Sequence, residues 1–324
     1  MAAERRMLRP LGSWLCAMLL AACAAPSMLA PATRSTAMPN AEDAPPAPIS
    51  TPATTGSITF EHAGTERHYL LHIPTGLLTG APLVVMLHGY SDDANSLRDD
   101  THMNAVADRH AFAVVYPRGS RDHRGARFWN VGYAFHQDVE TVDDVAMLTA
   151  LVTWLQTTYG FDPARTYVAG MSNGADMAYL LACRRPDVFA AAAPVAGTLM
   201  IVNDDVCTAG APVPILAFNG TADATTRYAG DLANHDGWGA YLGVDAVIER
   251  WRRRNGCTAI TTEELVNPDR TDPRRVVWQR HHGCPGDREV WLYQIHGGGH
   301  EWPGAGDGLF LDASEVIWQF FSRY

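Results

Sequence analysis

The chain has 324 residues, of which 47% are hydrophobic and 19% charged, enough for one large domain with a sizeable core. Its formal net charge is -10 and its basic residues are all arginine, a balance that argues against neutralising nucleic-acid phosphates and so excludes that partner class.

The first element is a leader-like segment. The basic stretch MAAERRMLR precedes LGSWLCAMLLAA, an apolar run too short to span a bilayer as a helix. Together they read as a signal peptide over residues 1–22. The run closes on Leu20-Ala21-Ala22-Cys23, a lipobox-like order that makes Cys23 the expected lipidation site. The competing reading is an ordinary signal peptide with Cys23 incidental. The expected location is therefore export, either lipid-anchored to a cell envelope (an outer membrane where one exists) or secreted. Membrane contact is expected only through that anchor. Residues 23–56 are rich in Pro, Ala, Ser and Thr and have little apolar periodicity, so they read as a flexible tether.

From residue 57 to 324 the pattern is α/β. Residues 57–74 alternate around Ala63-Gly64 and predict a β-hairpin. The runs PLVVMLHG and FAVVYP read as buried strands, with a short helix at 101–111 between them. A long helix is expected over 142–160, closed by Gly160. Strands follow at 166–170, 189–197, 212–220 and 289–297, and helices at 243–256 and 312–324. Strands alternating with helices predict a mostly parallel sheet covered on both faces, in a single domain.

The sequence Gly170-Met171-Ser172-Asn173-Gly174 lies where an apolar β-rich run meets a helical one. This is the G-x-S-x-G pattern of a nucleophile elbow, which points to an α/β-hydrolase fold. A strand-to-helix turn with an N-terminal serine is the bland alternative. A nucleophilic serine needs a base and a group to orient it, in the chain order Ser, Asp, His. Asp223 follows the strand PVPILAFNG, and His300 follows EVWLYQI in the tract HGGGHEWPG. Asp204, Asp205, Asp231 and Asp236 follow no strand so directly, and His296 sits too close to its strand. The expected oxyanion donors are the backbone N–H groups of Asn173 and of Tyr90, in the loop after an early strand. No metal is expected. His296-x-x-x-His300 encloses a triple glycine unsuited to a helix, and the His281–Cys284 tract is a poor tetrahedral set.

Four cysteines remain beyond the leader region: Cys183, Cys207, Cys257 and Cys284. In an exported chain an even number suggests disulfides. Three pairings are open, and the two short loops favour Cys183 with Cys207 and Cys257 with Cys284.

The segments LHGYSDDANSL, VVYPRG, FWNVG, VDDVAML, VAGMSNGADMAYLLAC, FNGTAD, WRRRNGC and GGGHEWPG occur in one order along residues 57–324. In this the chain resembles the exported poly(3-hydroxybutyrate) depolymerase and feruloyl esterase-like α/β-hydrolases. The resemblance implies a serine esterase without a cofactor, acting on carboxylic esters through Ser172, Asp223 and His300. It also implies that Trp129 and Trp302 stand near the substrate cleft. Two segments depart from the pattern. WNVGYAFHQDVETVDDV lacks a Cys-Cys pair common in such proteins, and FNG replaces His-Gly before TAD. Polymer-degrading members commonly add a separate surface-binding domain, so short polyester oligomers or soluble esters are the expected substrates. Feruloyl or acetyl xylan esters are the alternative. A non-catalytic binding domain on the same fold is a remote third reading, and nothing in the residues speaks to oligomeric state.

Overall fold

The computed structural model describes residues 46–50, 56–304, 306 and 308–324. Cys23, the leader and most of the tether lie outside the described residues. The folded unit begins at Pro46, earlier than the expected boundary at 57. Ile49, the apolar residue of this Pro-rich stretch, is buried, and its N–H donates to Leu77 O at 2.8 Å. This burial and the bond from Thr79 N to Ala47 O at 2.8 Å hold residues 47–49 against the domain.

The strands are β1 (Ile58–His62), β2 (Thr65–His72), β3 (Leu83–Leu87), β4 (Ala113–Pro117), the short pair β5 (Ser120–Arg121) and β6 (Arg127–Phe128), β7 (Thr166–Met171), β8 (Ala191–Val195), β9 (Ile215–Gly220), β10 (Ala259–Leu265), β11 (Arg275–His282) and β12 (Val290–His296). The helices are α1 (Ala94–Thr101), α2 (Met103–His110), α3 (Asp144–Tyr159), α4 (Asn173–Arg184), α5 (Asp204–Ala209), α6 (Val244–Arg254) and α7 (Ala313–Phe321). Ten strands form one sheet in the order β1-β2-β4-β3-β7-β8-β9-β12-β11-β10. The six central strands, β4 to β12, run parallel, and an antiparallel pair extends each edge. This is the α/β-hydrolase architecture.

The central strands are buried on both faces because successive side chains point to opposite sides. Leu83, Val85 and Leu87 belong to the core cluster that also holds α3, α4 and α6, whereas Val84 and Met86 belong to the one that holds α1, α2 and α7. The 57–74 hairpin forms as its alternation predicts, and Ala63 and Gly64 both take positive φ at its turn. The elements not predicted above are α1, α5, β5, β6, β10 and β11. α1 is a polar helix started by Asp93, whose side chain accepts from Asn95 N. α5 is a single short run. β10 is an edge strand exposed along nearly its whole length, so it shows no apolar alternation.

Two disulfides join Cys183 to Cys207 and Cys257 to Cys284, across separations of 24 and 27 residues. In the chain-entropy model each contributes on the order of 3 kcal/mol. Such bridges persist in oxidising compartments. With Cys284 bridged, the His281–Cys284 tract offers no thiolate. The VDDVAML motif is structural as well. Asp143 caps α3 by accepting from Ala146 N, and buried Asp144 accepts from Arg67 Nη2 at 2.9 Å and Asn130 N at 2.8 Å.

Candidate active site

Ser172 sits between β7 and α4 with φ 55° and ψ -121°, a conformation rarely adopted by non-glycine residues. The chain holds it there from both sides. Ser172 N donates to Val195 O at 2.9 Å, and Ser172 O accepts from Ala175 N and Asp176 N. The flanking glycines permit this packing. A Cβ on Gly170 would lie 2.8 Å from Leu87 O, and one on Gly174 would lie 2.7 Å from His88 O. The end of β3 therefore presses against the turn. The loop that follows β3 passes over the serine, where a Cβ on Gly89 would lie 3.5 Å from Ser172 Cβ.

Asp223 and His300 come from the loops after β9 and β12, which are neighbours in the sheet. Backbone bonds stitch these loops together: Ala222 N donates to Gly298 O at 2.9 Å and Thr221 N to Ile295 O at 2.9 Å. Asp223 is buried. Its Oδ1 accepts from Thr225 N and Thr226 N, both at 2.8 Å, and its Oδ2 lies 2.8 Å from His300 Nδ1. Nδ1 so paired carries the proton and leaves Nε2 with its lone pair outward. Among the described residues no hydrogen bond joins Ser172 Oγ to His300; in the absence of substrate such pairs are often long. Thr225 and Thr226 line the same cleft as Ser172, which places the Asp223 loop on its wall.

The loop carrying Tyr90 is held by a buried chain. Tyr90 OH donates to Asp122 Oδ2 at 2.7 Å, and His136 Nε2 meets the same oxygen at 2.9 Å. Burial alone would raise the Asp122 carboxyl, but the bonds from His136, Tyr90 and two backbone amides hold it at about 2. The N–H groups of Tyr90 and Asn173 have no protein acceptor among the described residues. Asn173 is the first residue of α4, where free N–H donors are expected. A serine on a strained turn, an imidazole fixed by a carboxylate, and free amide donors are the parts that acyl transfer requires.

Trp129 and Trp302 do not line the cleft. Trp129 is fully buried behind it. Its N donates to Asn173 Oδ1 at 2.7 Å, its O accepts from Asn173 Nδ2 at 3.0 Å, and its Nε1 donates to His88 O at 2.9 Å. Trp302 packs in the core on the far side of the sheet, with Nε1 donating to Ser314 Oγ at 3.1 Å. Each indole N–H finds an interior acceptor, and that orients the ring inward. The aromatic wall of the cleft is made instead by Tyr133, Trp238 and Tyr241. Sequence reasoning missed these three because they come from loops without periodicity.

Asp176, one turn into α4, shares that cleft and was also missed. Burial pushes its carboxyl from the ordinary 3.8 up to about 7, against bonds from Thr198 N at 2.7 Å and Tyr133 OH at 2.8 Å. A carboxyl raised by folding contributes stability that is present below pH 4 and lost as pH rises through 7. Over the full window this amounts to about 4 kcal/mol. Asp176→Asn removes the titration. Chemical denaturation at pH 5 and pH 8 should show the wild type losing about 3 kcal/mol more than the variant across that interval; equal losses would refute the shift.

The family model for esterase PHB depolymerase matches residues 67–229, which is half of the chain and carries both the elbow and Asp223. The chain belongs to this family. The putative esterase NocK of Nocardia uniformis subsp. tsuyamanensis is 31% identical over 78% of this chain and 75% of its own length. Feruloyl esterase B of Piromyces equi is 29% identical over 80% of this chain. The chain spans 45% of the length of that protein and 34% of another of the curated relatives it matches. Among solved structures, an acetyl xylan esterase from Aspergillus awamori aligns over 80% of this chain and 94% of its own, with a TM-score of 0.57 at 18% identity, a likeness of fold.

Proposed function

We propose that this family member is a serine ester hydrolase acting through an acyl-enzyme on short polyester oligomers or soluble carboxylic esters. The observation that carries the reading is the Asp223–His300 pair, 2.8 Å apart, on loops bordering the cleft of Ser172. In this mechanism His300 Nε2 takes the Ser172 proton as Oγ attacks the ester carbonyl carbon. Asp223 holds the ring and stabilises the imidazolium. The N–H groups of Asn173 and Tyr90 receive the developing oxyanion. Collapse of the tetrahedral intermediate breaks the C–O bond, and the alcohol leaves with the proton from His300. Water then repeats the sequence on the acyl-enzyme and releases the acid. No step calls for a cofactor.

A second reading, hydrolysis of feruloyl or acetyl esters of plant cell walls, draws on the names of the feruloyl and acetyl xylan esterase relatives. One panel tests both. Hydroxybutyrate oligomers, methyl ferulate, acetylated xylan and p-nitrophenyl esters of increasing chain length are compared by kcat/KM. Highest values on the oligomers and short p-nitrophenyl esters support the first reading, and highest values on ferulate or xylan support the second. No turnover of any ester refutes both and leaves a binding role.

Export is supported by the two disulfides and the leader-like N-terminus. We take Cys23 as the lipid-bearing residue, with the sequence between it and Pro46 as the tether to the catalytic domain. Mass spectrometry of the mature N-terminus is the test; an unmodified Cys23 in membrane-fractionated protein would overturn the anchor.

A further inference from the structure

Asp176 is a carboxyl that the ester mechanism does not use, yet it stands in the cleft four residues after the nucleophile. It is 6% exposed. Its two hydrogen-bond donors, Thr198 N and Tyr133 OH, are both uncharged and each occupies a different oxygen. A carboxylate offers about four acceptor positions, so further acceptor capacity remains on each oxygen. The rings of Tyr133 and Trp238 stand beside it with centroids 5.2 Å apart, and Tyr241 joins them in the same lining. Burial raises this carboxyl to about 7, with the bonds from Thr198 and Tyr133 and the charge of His300 acting the other way, so it is ionised above that pH. The protein supplies Asp176 with no charged hydrogen-bond partner among the described residues. Asp176 lines the cleft, so a donor entering it can reach the acceptor positions left over.

We propose that Asp176 is a specificity-determining residue: the cleft beside Ser172 selects esters that carry a small hydrogen-bond donor, a hydroxyl or an ammonium group, close to the ester. This rests on the ester-hydrolase reading and names what that site accepts. The donor hydrogen-bonds to the free acceptor side of the Asp176 carboxylate, while the aromatic rings exclude water and strengthen the bond. A plain alkanoyl ester of the same shape leaves the carboxyl unanswered. That asymmetry is large, since sites built around buried polar groups discriminate strongly against ligands lacking the partner. A hydrogen bond to a charged group corresponds to a preference of roughly ten- to a hundredfold.

The test compares methyl butanoate with methyl 3-hydroxybutanoate and methyl 3-aminobutanoate, and propyl butanoate with 2-hydroxyethyl butanoate, so that the donor is offered on either side of the ester. The readout is the ratio of kcat/KM between donor ester and plain ester at pH 8, where the carboxyl is ionised, for wild type and Asp176→Asn. The expected result is a wild-type ratio of roughly ten or more for at least one donor ester, collapsing to within about threefold of unity in the variant. The hydroxyl and amino arms tell which donor the cleft takes. No preference in the wild type overturns the proposal, as does a preference that survives in the variant. A purely structural Asp176 would lower stability without moving the ratio. Should the asparagine variant not fold, Asp176→Ser is the second variant. Turnover of p-nitrophenyl acetate is the control. Its absence sinks the hydrolase reading itself, whereas normal turnover of plain esters without donor preference sinks only the role of Asp176.

Discussion

Replacement of Ser172 with alanine should lower kcat by roughly four to six decades on any ester the chain hydrolyses. Alanine meets the same backbone requirement at φ 55° that serine already meets, so the elbow and its hydrogen bonds to Val195, Ala175 and Asp176 remain. What disappears is the atom that would form the acyl bond. His300→Ala should cost about as much, and the double variant little more, because the groups act as one unit. Asp223→Asn is the informative intermediate. Its amide would no longer hold the Nδ1–H tautomer, and a loss of about four decades is expected. The measurement is kcat on p-nitrophenyl acetate, with circular dichroism confirming the fold. Retention of more than about a tenth of wild-type activity in Ser172→Ala would remove the nucleophile assignment.

Trp129→Ala should destabilise the domain by about 3–5 kcal/mol, the range for emptying a buried aromatic site. The ring is fully enclosed, lies tilted against His88 with ring centroids 4.9 Å apart, and its Nε1 is the donor to His88 O. His88 is itself fixed: Nδ1 lies 2.8 Å from Gly89 O and Nε2 accepts from Gly119 N at 2.9 Å. Burial pushes its imidazole below the ordinary value, as suits a neutral ring with one donor and one acceptor nitrogen. The backbone of Trp129 meanwhile exchanges two bonds with the Asn173 side chain. One residue thus ties the loop of Tyr90 to the start of α4, the two places where free amide donors stand. Trp129→Phe keeps most of the volume and should recover most of the stability, losing only the bond to His88 O. Urea denaturation of the three proteins, alongside their kinetic constants, separates the alternatives. A Trp129→Ala protein of unchanged stability with a raised KM would mean that the ring meets substrate after all.

Much of this protein was legible in its residues because the signals are local. Continuous apolar runs at 83–87, 113–117 and 215–220 can only be strands buried on both faces, and each is one. Glycine at 170 and 174 marks a turn that another backbone must approach, and β3 is that backbone. Chain order then led to Asp223 and His300, since each lies just past a strand whose end was already recognised. These inferences need only the period of a strand, the sterics of a missing Cβ and the rule that parallel strands present their following loops at one end.

Tertiary structure alone decided the rest. Whether a tryptophan faces a cleft or a core depends on where its N–H finds an acceptor, and for Trp129 and Trp302 those acceptors are His88 O and Ser314 Oγ, 41 and 12 residues away. The cleft wall gathers Tyr133, Asp176, Trp238 and Tyr241 from loops and a helix turn that share no period and no motif. Ile49 looks like part of a tether until Leu77 supplies its backbone partner. β10 is polar and exposed, and becomes a strand because β11 offers it a hydrogen-bonding edge. In each case the deciding interaction is a long-range pairing whose energy appears only after the sheet has brought distant segments together, and local sequence carries no record of it.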